Sequence, residues 1–323
     1  MDRTDAVVNG RPIVVVLTRV PEVVLERLRE RADVADVSAL PREHWGAALA
    51  GATGVLSSSN VPIDAAFLAE APELRIVAMQ SVGYDNVDVP RLRERGIALT
   101  NSRGSLVEAV ADLAYALVIT AVRRLGPAIA WARDGRWLAH GDPPYSHDLE
   151  GATLGIVGFG AIGVALARRA HASKMNVVYH TRTPRHDDAQ TGGSYRTFAA
   201  LLAEADCVVA LLPLTPHTRG MFGDAAFAQM KPSATFVNAA RGPICDTGAL
   251  LRALEQKKIA GAVLDVTDPE PLPPQHPLYA REDVVITPHV GSATIETRTR
   301  MAMLAAENLL AFADGKPLLT PVG

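Results

Sequence analysis

One stretch near the middle of the chain, Leu154–Ala170 (LGIVGFGAIGVALARRA), constrains the fold more than any other. Leu154 to Val157 is an apolar run too short for a helix and suited to a parallel strand covered on both faces. From Ala161 the apolar spacing becomes helical, so the stretch reads as strand, tight turn and helix. Gly158 can adopt the dihedrals of the turn. Gly160 lets a pyrophosphate approach the backbone, and Gly163 lets the helix pack closely on the strand. The helix then points free N–H groups and the positive end of its dipole at phosphates. A GxGxxG by itself can serve packing alone. With an apolar strand before it and a helix after it, the pattern predicts a dinucleotide site.

The 323 residues leave room for a second domain with its own core. Hydrophobic residues make up 48% and charged residues 21%, which places the chain with ordinary globular proteins rather than disordered ones. A net charge of −3 gives no basic face for nucleic acid. No apolar run reaches the length of a membrane span, and MDRTDAVVNGRP lacks the apolar core of a signal peptide, so no membrane association is expected. Cys207 and Cys245 are too few for a disulfide framework. Both read as small buried residues, and a reducing, cytoplasmic setting is the default. No metal-ligand spacing occurs.

Residues 1–12 read as a lead-in. Strands are then predicted at Ile13–Thr18, Gly54–Ser58 and Leu74–Met79, alternating with helices after Pro21, from Pro62 and over Val89–Arg95. This alternation predicts a parallel sheet flanked by helices, without a Gly-rich phosphate turn, and hence a substrate domain. Its loop Gln80–Asp88 (QSVGYDNVD) follows a strand. Val82 and Gly83 there could offer backbone N–H groups to a substrate anion, although an ordinary polar loop would look the same. Ser105–Arg124 reads as a long apolar helix passing between domains, with Ser105 and Glu108 fitting a capping box. A polar and aromatic excursion containing Trp137 follows. Further strands are expected at Asn176–His180, Cys207–Leu212, Ala234–Asn238, Gly261–Asp265 and Val284–Thr287. Further helices are expected at Phe198–Glu204, Asp224–Met230, Thr247–Lys257 and Ala293–Ala313.

Three of these strands are followed by an isolated charged or titratable residue: Arg241, Glu270 and His289. In a parallel sheet all three would project from the carboxyl edge, where the Gly-rich turn also places a cofactor. Together they suit reduction of a 2-keto acid. Arg241 offers a fork of donors to a carboxylate. His289 is a general acid for the developing alkoxide, since a histidine titrates near working pH. Glu270 would stabilise its imidazolium. His276 and His217 lie in Pro-bounded loops and read as capping or packing residues.

The chain resembles the D-isomer-specific 2-hydroxyacid dehydrogenase family over nearly its full length. The resemblance rests on GFGAIG at 158–163, LPLTPHTRG at 212–220, NAARG at 238–242, VLDVTDPEP at 263–271 and PHVGSAT at 288–294. It implies two Rossmann-like doubly wound α/β domains with the cofactor between them. The substrate domain would be discontinuous (1–102 plus 292–323) around a dinucleotide domain at 103–291. It also implies catalytic roles for Arg241, Glu270 and His289, and substrate binding by Val82, Gly83 and Arg241. Cofactor contacts are implied at Gly158, Gly160, Ala161, Ile162, Gly163, Leu212, Pro213, Thr218, Ala239, Ala240, Arg241, Asp265, His289 and Gly291. Within the family, LDVTDPEPLPPQHPL and HVGSATIETRTRM are similar to glyoxylate/hydroxypyruvate reductases. Trp137 matches a tryptophan of that branch that reaches the partner subunit's active site, and a homodimer is implied. The chain departs from the family at Val263-Leu264, where Gly-Leu is frequent, and at Cys245, where an aliphatic residue is usual.

The cofactor preference is read from the residues after the strand NVVYH. An NAD site usually carries Asp or Glu there, about 20 residues past the Gly-rich turn, to bind the ribose hydroxyls. Here Thr181, Arg182 and Thr183 follow, and no carboxylate occurs before Asp187. Thr181 tolerates a 2′-phosphate and can donate to it, and Arg182 can bind it, so NADPH is expected, with NADH use possible. The sequence therefore predicts an enzyme reducing glyoxylate and hydroxypyruvate to glycolate and D-glycerate. One alternative is a broader D-2-hydroxyacid dehydrogenase. The other is a dinucleotide-sensing corepressor-like protein, which would carry long flanking extensions. Eight residues follow Gly315 and twelve precede Ile13, which favours the enzyme.

Overall fold

All described strands run parallel to their neighbours. The computed structural model describes residues 11–185 and 191–322, so most of the expected lead-in and Asp187 lie outside the described residues. The chain divides into two compact units. One runs to Leu106 and resumes at Ala293, and the other is Val107–Ser292.

In the first unit, β1 (Ile13–Val16), β2 (Asp33–Asp36), β3 (Gly54–Ser57), β4 (Ile76–Met79) and β5 (Ala98–Thr100) form a sheet in the order β2-β1-β3-β4-β5. Successive residues of a strand point to opposite faces. Val14, Val16, Leu56 and Ile76 therefore pack with Leu28 and with Ala302, Ala305 and Leu309 of the chain's last helix, Ile295–Ala313. Val15, Val55, Val77 and Met79 pack on the other side with Leu49, Phe67 and Leu92. Covering both faces is what makes these strands near-continuous apolar runs.

The second unit contains β6 (Thr153–Val157), β7 (Asn176–His180), β8 (Ser194–Tyr195), β9 (Cys207–Ala210), β10 (Thr235–Asn238), β11 (Gly261–Leu264) and β12 (Val284–Ile286). The strand order is β12-β11-β10-β9-β6-β7-β8, so the order reverses at β6, between β9 and β7. Such a reversal opens a crevice at the carboxyl ends of the strands, the usual ligand position in these sheets. Leu154, Ile156, Val209 and Val237 face the helices Val107–Val122 and Ala161–Ala172. Val157, Val208, Phe236 and Leu264 face Phe198–Glu204 and Thr247–Glu255.

The two doubly wound α/β domains agree with the fold expected from the sequence. Three edge strands are additions. β2 reads DVAD and β8 has two residues, and an edge strand with polar partners shows little apolar signal. β5, at the other end of the first sheet, has three. The long helix is shorter than expected, Val107–Val122, and lies within the second unit rather than passing between domains. Its capping box does not form. Ser105 Oγ donates to Ser102 O, and Glu108 pairs with Arg169 instead. No single described helix is long and apolar enough to cross a membrane. Val107–Val122 and the bent continuation Leu125–Arg133 pass that test as a pair, but Ala114, Leu117 and Val118 are buried in the core of the second unit.

Candidate active site

The carboxyl end of β6 turns sharply at Gly158, whose φ is +98°. A Cβ there would meet Leu211 O at 2.5 Å, and one at Gly163 would meet Gly158 O at 2.7 Å. These two glycines are required by turn geometry and close packing. A Cβ on Gly160 would meet nothing within 4 Å. Gly160 caps the helix Ala161–Ala172 without any side-chain capping bond. The amides of Ala161, Ile162 and Gly163 thus stand without helical partners, open to an anionic group. The residues present fit a dinucleotide pyrophosphate.

Thr181, Arg182 and Thr183 follow β7. Thr181 Oγ1 donates to Thr183 O at 2.7 Å, so its proton is already engaged, and Arg182 is exposed. Arg185, which from the sequence reads as a solvated loop residue, is half-buried. Its amide donates to Tyr179 Oη at 2.9 Å and its Nη1 to Phe159 O at 3.3 Å, which brings a guanidinium onto the Gly-rich turn. The second arginine of TRTPR was the available signal. After β9, the turn holding Leu212 and Pro213 is closed by Thr218. Thr218 Oγ1 donates to Pro213 O and accepts from Thr215 N, both at 2.7 Å.

After β10, Asn238 organises Ala239, Ala240 and Arg241. Its Oδ1 accepts from Ala240 N and its Nδ2 donates to Arg241 O, both at 3.1 Å. At the next residue, Gly242, a Cβ would lie 1.8 Å from Thr267 O, so only glycine lets this chain run against the segment that carries Glu270. Glu270 lies between two cis peptide bonds, Asp268–Pro269 and Glu270–Pro271. Its Oε1 is 2.6 Å from His289 Nδ1, which leaves Nε2 for a substrate. Burial works against the charge on Glu270. The bond to His289, the Thr267 amide and the nearby Arg241 charge outweigh it and hold the carboxyl below the ordinary range. Arg241, Glu270 and His289 are thus gathered at one edge of the sheet.

His289 adopts a left-handed backbone with φ +53°, uncommon for a non-glycine residue. Asp265, at the end of β11, maintains it. The His289 amide donates to Asp265 O at 2.8 Å. The buried Asp265 carboxylate accepts from Thr287 Oγ1 at 2.6 Å, Val290 N at 2.9 Å and Gly291 N at 3.0 Å. Both carboxylate oxygens thus serve the histidine loop, a job that the sequence reading did not give this residue. His276 Nδ1 accepts from Leu278 N at 3.3 Å and caps a short helical turn, while His217 is exposed. Trp137 is 64% exposed on the helix Arg136–His140. Val82 and Gly83 stand in the half-buried loop after β4, in the first unit.

Residues 115–291 match the family model described as D-isomer specific 2-hydroxyacid dehydrogenase, NAD binding domain. A glyoxylate/hydroxypyruvate reductase B from Escherichia fergusonii is 42% identical over 312 residues, covering 94% of this chain and 96% of that protein. The chain belongs to the D-isomer specific 2-hydroxyacid dehydrogenase family. This dehydrogenase is also 46% identical to a glyoxylate reductase from Aeropyrum pernix, over 79% of this chain and 78% of that one. Among solved structures it resembles an NADPH-dependent glyoxylate/hydroxypyruvate reductase from Sinorhizobium meliloti, in complex with NADP and malonate. The TM-score is 0.86 at 35% identity, over 97% of each chain. The protein is therefore an NAD(P)-dependent oxidoreductase, and the matched dinucleotide domain falls within the second unit.

Proposed function

We propose that this dehydrogenase reduces glyoxylate to glycolate and hydroxypyruvate to D-glycerate, with NADPH preferred over NADH. The observation that carries the reading is the Arg241, Glu270 and His289 cluster, with His289 held by Glu270 through Nδ1 and its Nε2 without a partner among the described residues. The names of the relatives and the NADP complex of the Sinorhizobium meliloti structure support the substrate and cofactor. The bound reduced nicotinamide supplies the hydride to the keto carbon. Arg241 binds the substrate carboxylate with its planar fork, and the amides of Val82 and Gly83 bind it as backbone donors. His289 gives its proton to the oxygen as the hydride arrives, so the alkoxide never has to exist as a free anion. Glu270, kept ionised, stabilises the imidazolium from which that proton comes.

Gly158, Gly160, Ala161, Ile162 and Gly163 hold the pyrophosphate, and the turns at Leu212–Thr218 and Ala239–Arg241 flank the cofactor. Thr181, Arg182 and Thr183, with Arg185 beside the turn, accept a 2′-phosphate where an NAD enzyme would place a carboxylate. Two unpaired, buried cysteines support a cytoplasmic setting. A homodimer is supported by large apolar side chains exposed along one stretch, Ile129, Trp137, Leu138 and Tyr145.

The test is a panel of 2-keto acids assayed with both cofactors. Glyoxylate and hydroxypyruvate should give the highest kcat/KM, with NADPH ahead of NADH. A protein that prefers bulkier keto acids, or turns over none, would overturn the proposal.

A further inference from the structure

We propose that Asn101 is a positioning residue that sets the anion-binding face of the loop after β4. In that loop every carbonyl from Ser81 to Gly83 is tied down. Ser81 O accepts from Ser102 N at 3.0 Å, Val82 O from Asn101 Nδ2 at 2.9 Å, and Gly83 O from Ser81 Oγ at 2.7 Å. These peptide bonds are trans, so each carbonyl and the N–H that follows it point in opposite directions. Holding Ser81 O therefore aims the Val82 amide, and holding Val82 O aims the Gly83 amide. Neither amide has an acceptor among the described residues. Successive N–H groups turned to the same side of a loop form a small anion receptor.

Among the described residues, Asn101 is the one side chain that fixes the peptide between Val82 and Gly83, and it is itself held at several points. It is buried, its amide donates to Thr320 O at 3.2 Å, and its Oδ1 accepts from Arg103 N at 3.3 Å. Its position just beyond β5 places it beside the loop of the neighbouring β4. The ligand class is a small carboxylate, one of whose oxygens can accept from both amides. The inference rests on the reading above, in which Val82 and Gly83 bind the substrate carboxylate.

Asn101→Asp keeps the shape but removes the donor and sets a carboxylate against Val82 O. Asn101→Ala removes both side-chain bonds, the one to Val82 O and the one from Arg103 N. Kinetics with glyoxylate should show kcat/KM lower by about 10–100-fold, carried mainly by KM, because hydrogen bonds to a charged group are at stake. The Kd for NADPH should stay within about twofold, since a site on other residues is not touched. Calorimetry with oxalate, a dicarboxylate that is not reduced, should show the same loss of affinity without any turnover. Asn101→Ser, which also loses the donor to Val82 O but keeps a small polar side chain, should show the same loss and serves if the other Asn101 variants do not fold. Equal oxalate affinity in the parent and in these variants overturns the proposal, as does a parent that does not bind oxalate. A parent that binds oxalate in an Asn101-dependent way but does not reduce glyoxylate leaves this inference standing and removes the reaction proposed above.

Discussion

At the scale of single residues, the proposed chemistry rests on three side chains, Arg241, Glu270 and His289, and their loss should have different consequences. His289 is proposed to supply the proton. His289→Ala should reduce turnover by roughly 10²–10⁴-fold, the range for a positioned general acid, with the Kd for NADPH nearly intact. Near-normal turnover at neutral pH would remove it from the mechanism. Arg241 is proposed to hold the substrate carboxylate. Arg241→Lys keeps the charge but not the planar fork, so KM for glyoxylate should rise and stay high. Cofactor preference should respond to Thr181→Asp, which repels a 2′-phosphate, and to Arg182→Ala, which removes a donor. Both should move the ratio of kcat/KM values toward NADH. A parent enzyme that already favours NADH would defeat this assignment.

At the scale of elements, the strand ends decide where these residues stand, and the opposite edge of the same sheet has its own fastening. Asp206, just before β9, accepts from Thr153 N at 2.9 Å and from Lys231 Nζ at 2.7 Å, tying β6 to β9 and to the turn before β10. Burial raises its pKa, but the Lys231 bond and the Thr153 amide outweigh that and hold it below the ordinary 3.8. A carboxyl depressed on folding stabilises the native state above its unfolded pKa, and loses that contribution as the pH falls through the folded value. Asp206→Asn should therefore lower Tm at pH 7, and the gap to the parent should narrow as pH is taken below 3.8. Thermal melts across that range check it; an unchanged gap at low pH would mean that the carboxylate charge is not what matters. Most elements were legible because β6, β7 and β9 to β11 are buried on both faces and so read as unbroken apolar runs. β2 and β8 were not, since edge strands carry polar residues and are defined by their pairing.

At the scale of the whole molecule, most of the large apolar side chains that the second unit exposes lie in one stretch, from Leu125 to Tyr145, with Tyr279 apart from them. Leu138 is 96% and Tyr145 89% exposed, and the proposed homodimer would cover them. Light scattering should give about twice the 34.3 kDa chain mass, and Ile129→Asp with Leu138→Asp should shift it to that of one chain. A parent that stays monomeric at micromolar concentration would dismiss the dimer.

The sequence by itself determined the two α/β domains and the Gly-rich turn, and it singled out Arg241, Glu270 and His289 as candidates. Each of these is written in local spacing: apolar runs of strand length, glycines at fixed offsets, and a charged or titratable residue just past a strand. Only the tertiary structure decided what holds them. That the Asp265 carboxylate grips the histidine loop 22 to 26 residues away follows from the pairing of β11 with β12. That Asn101 turns the peptide after Val82 follows from the pairing of β4 with β5. Such bonds join side chains to a backbone distant in sequence. They leave no periodic trace, because the partner is a carbonyl or amide that every residue possesses.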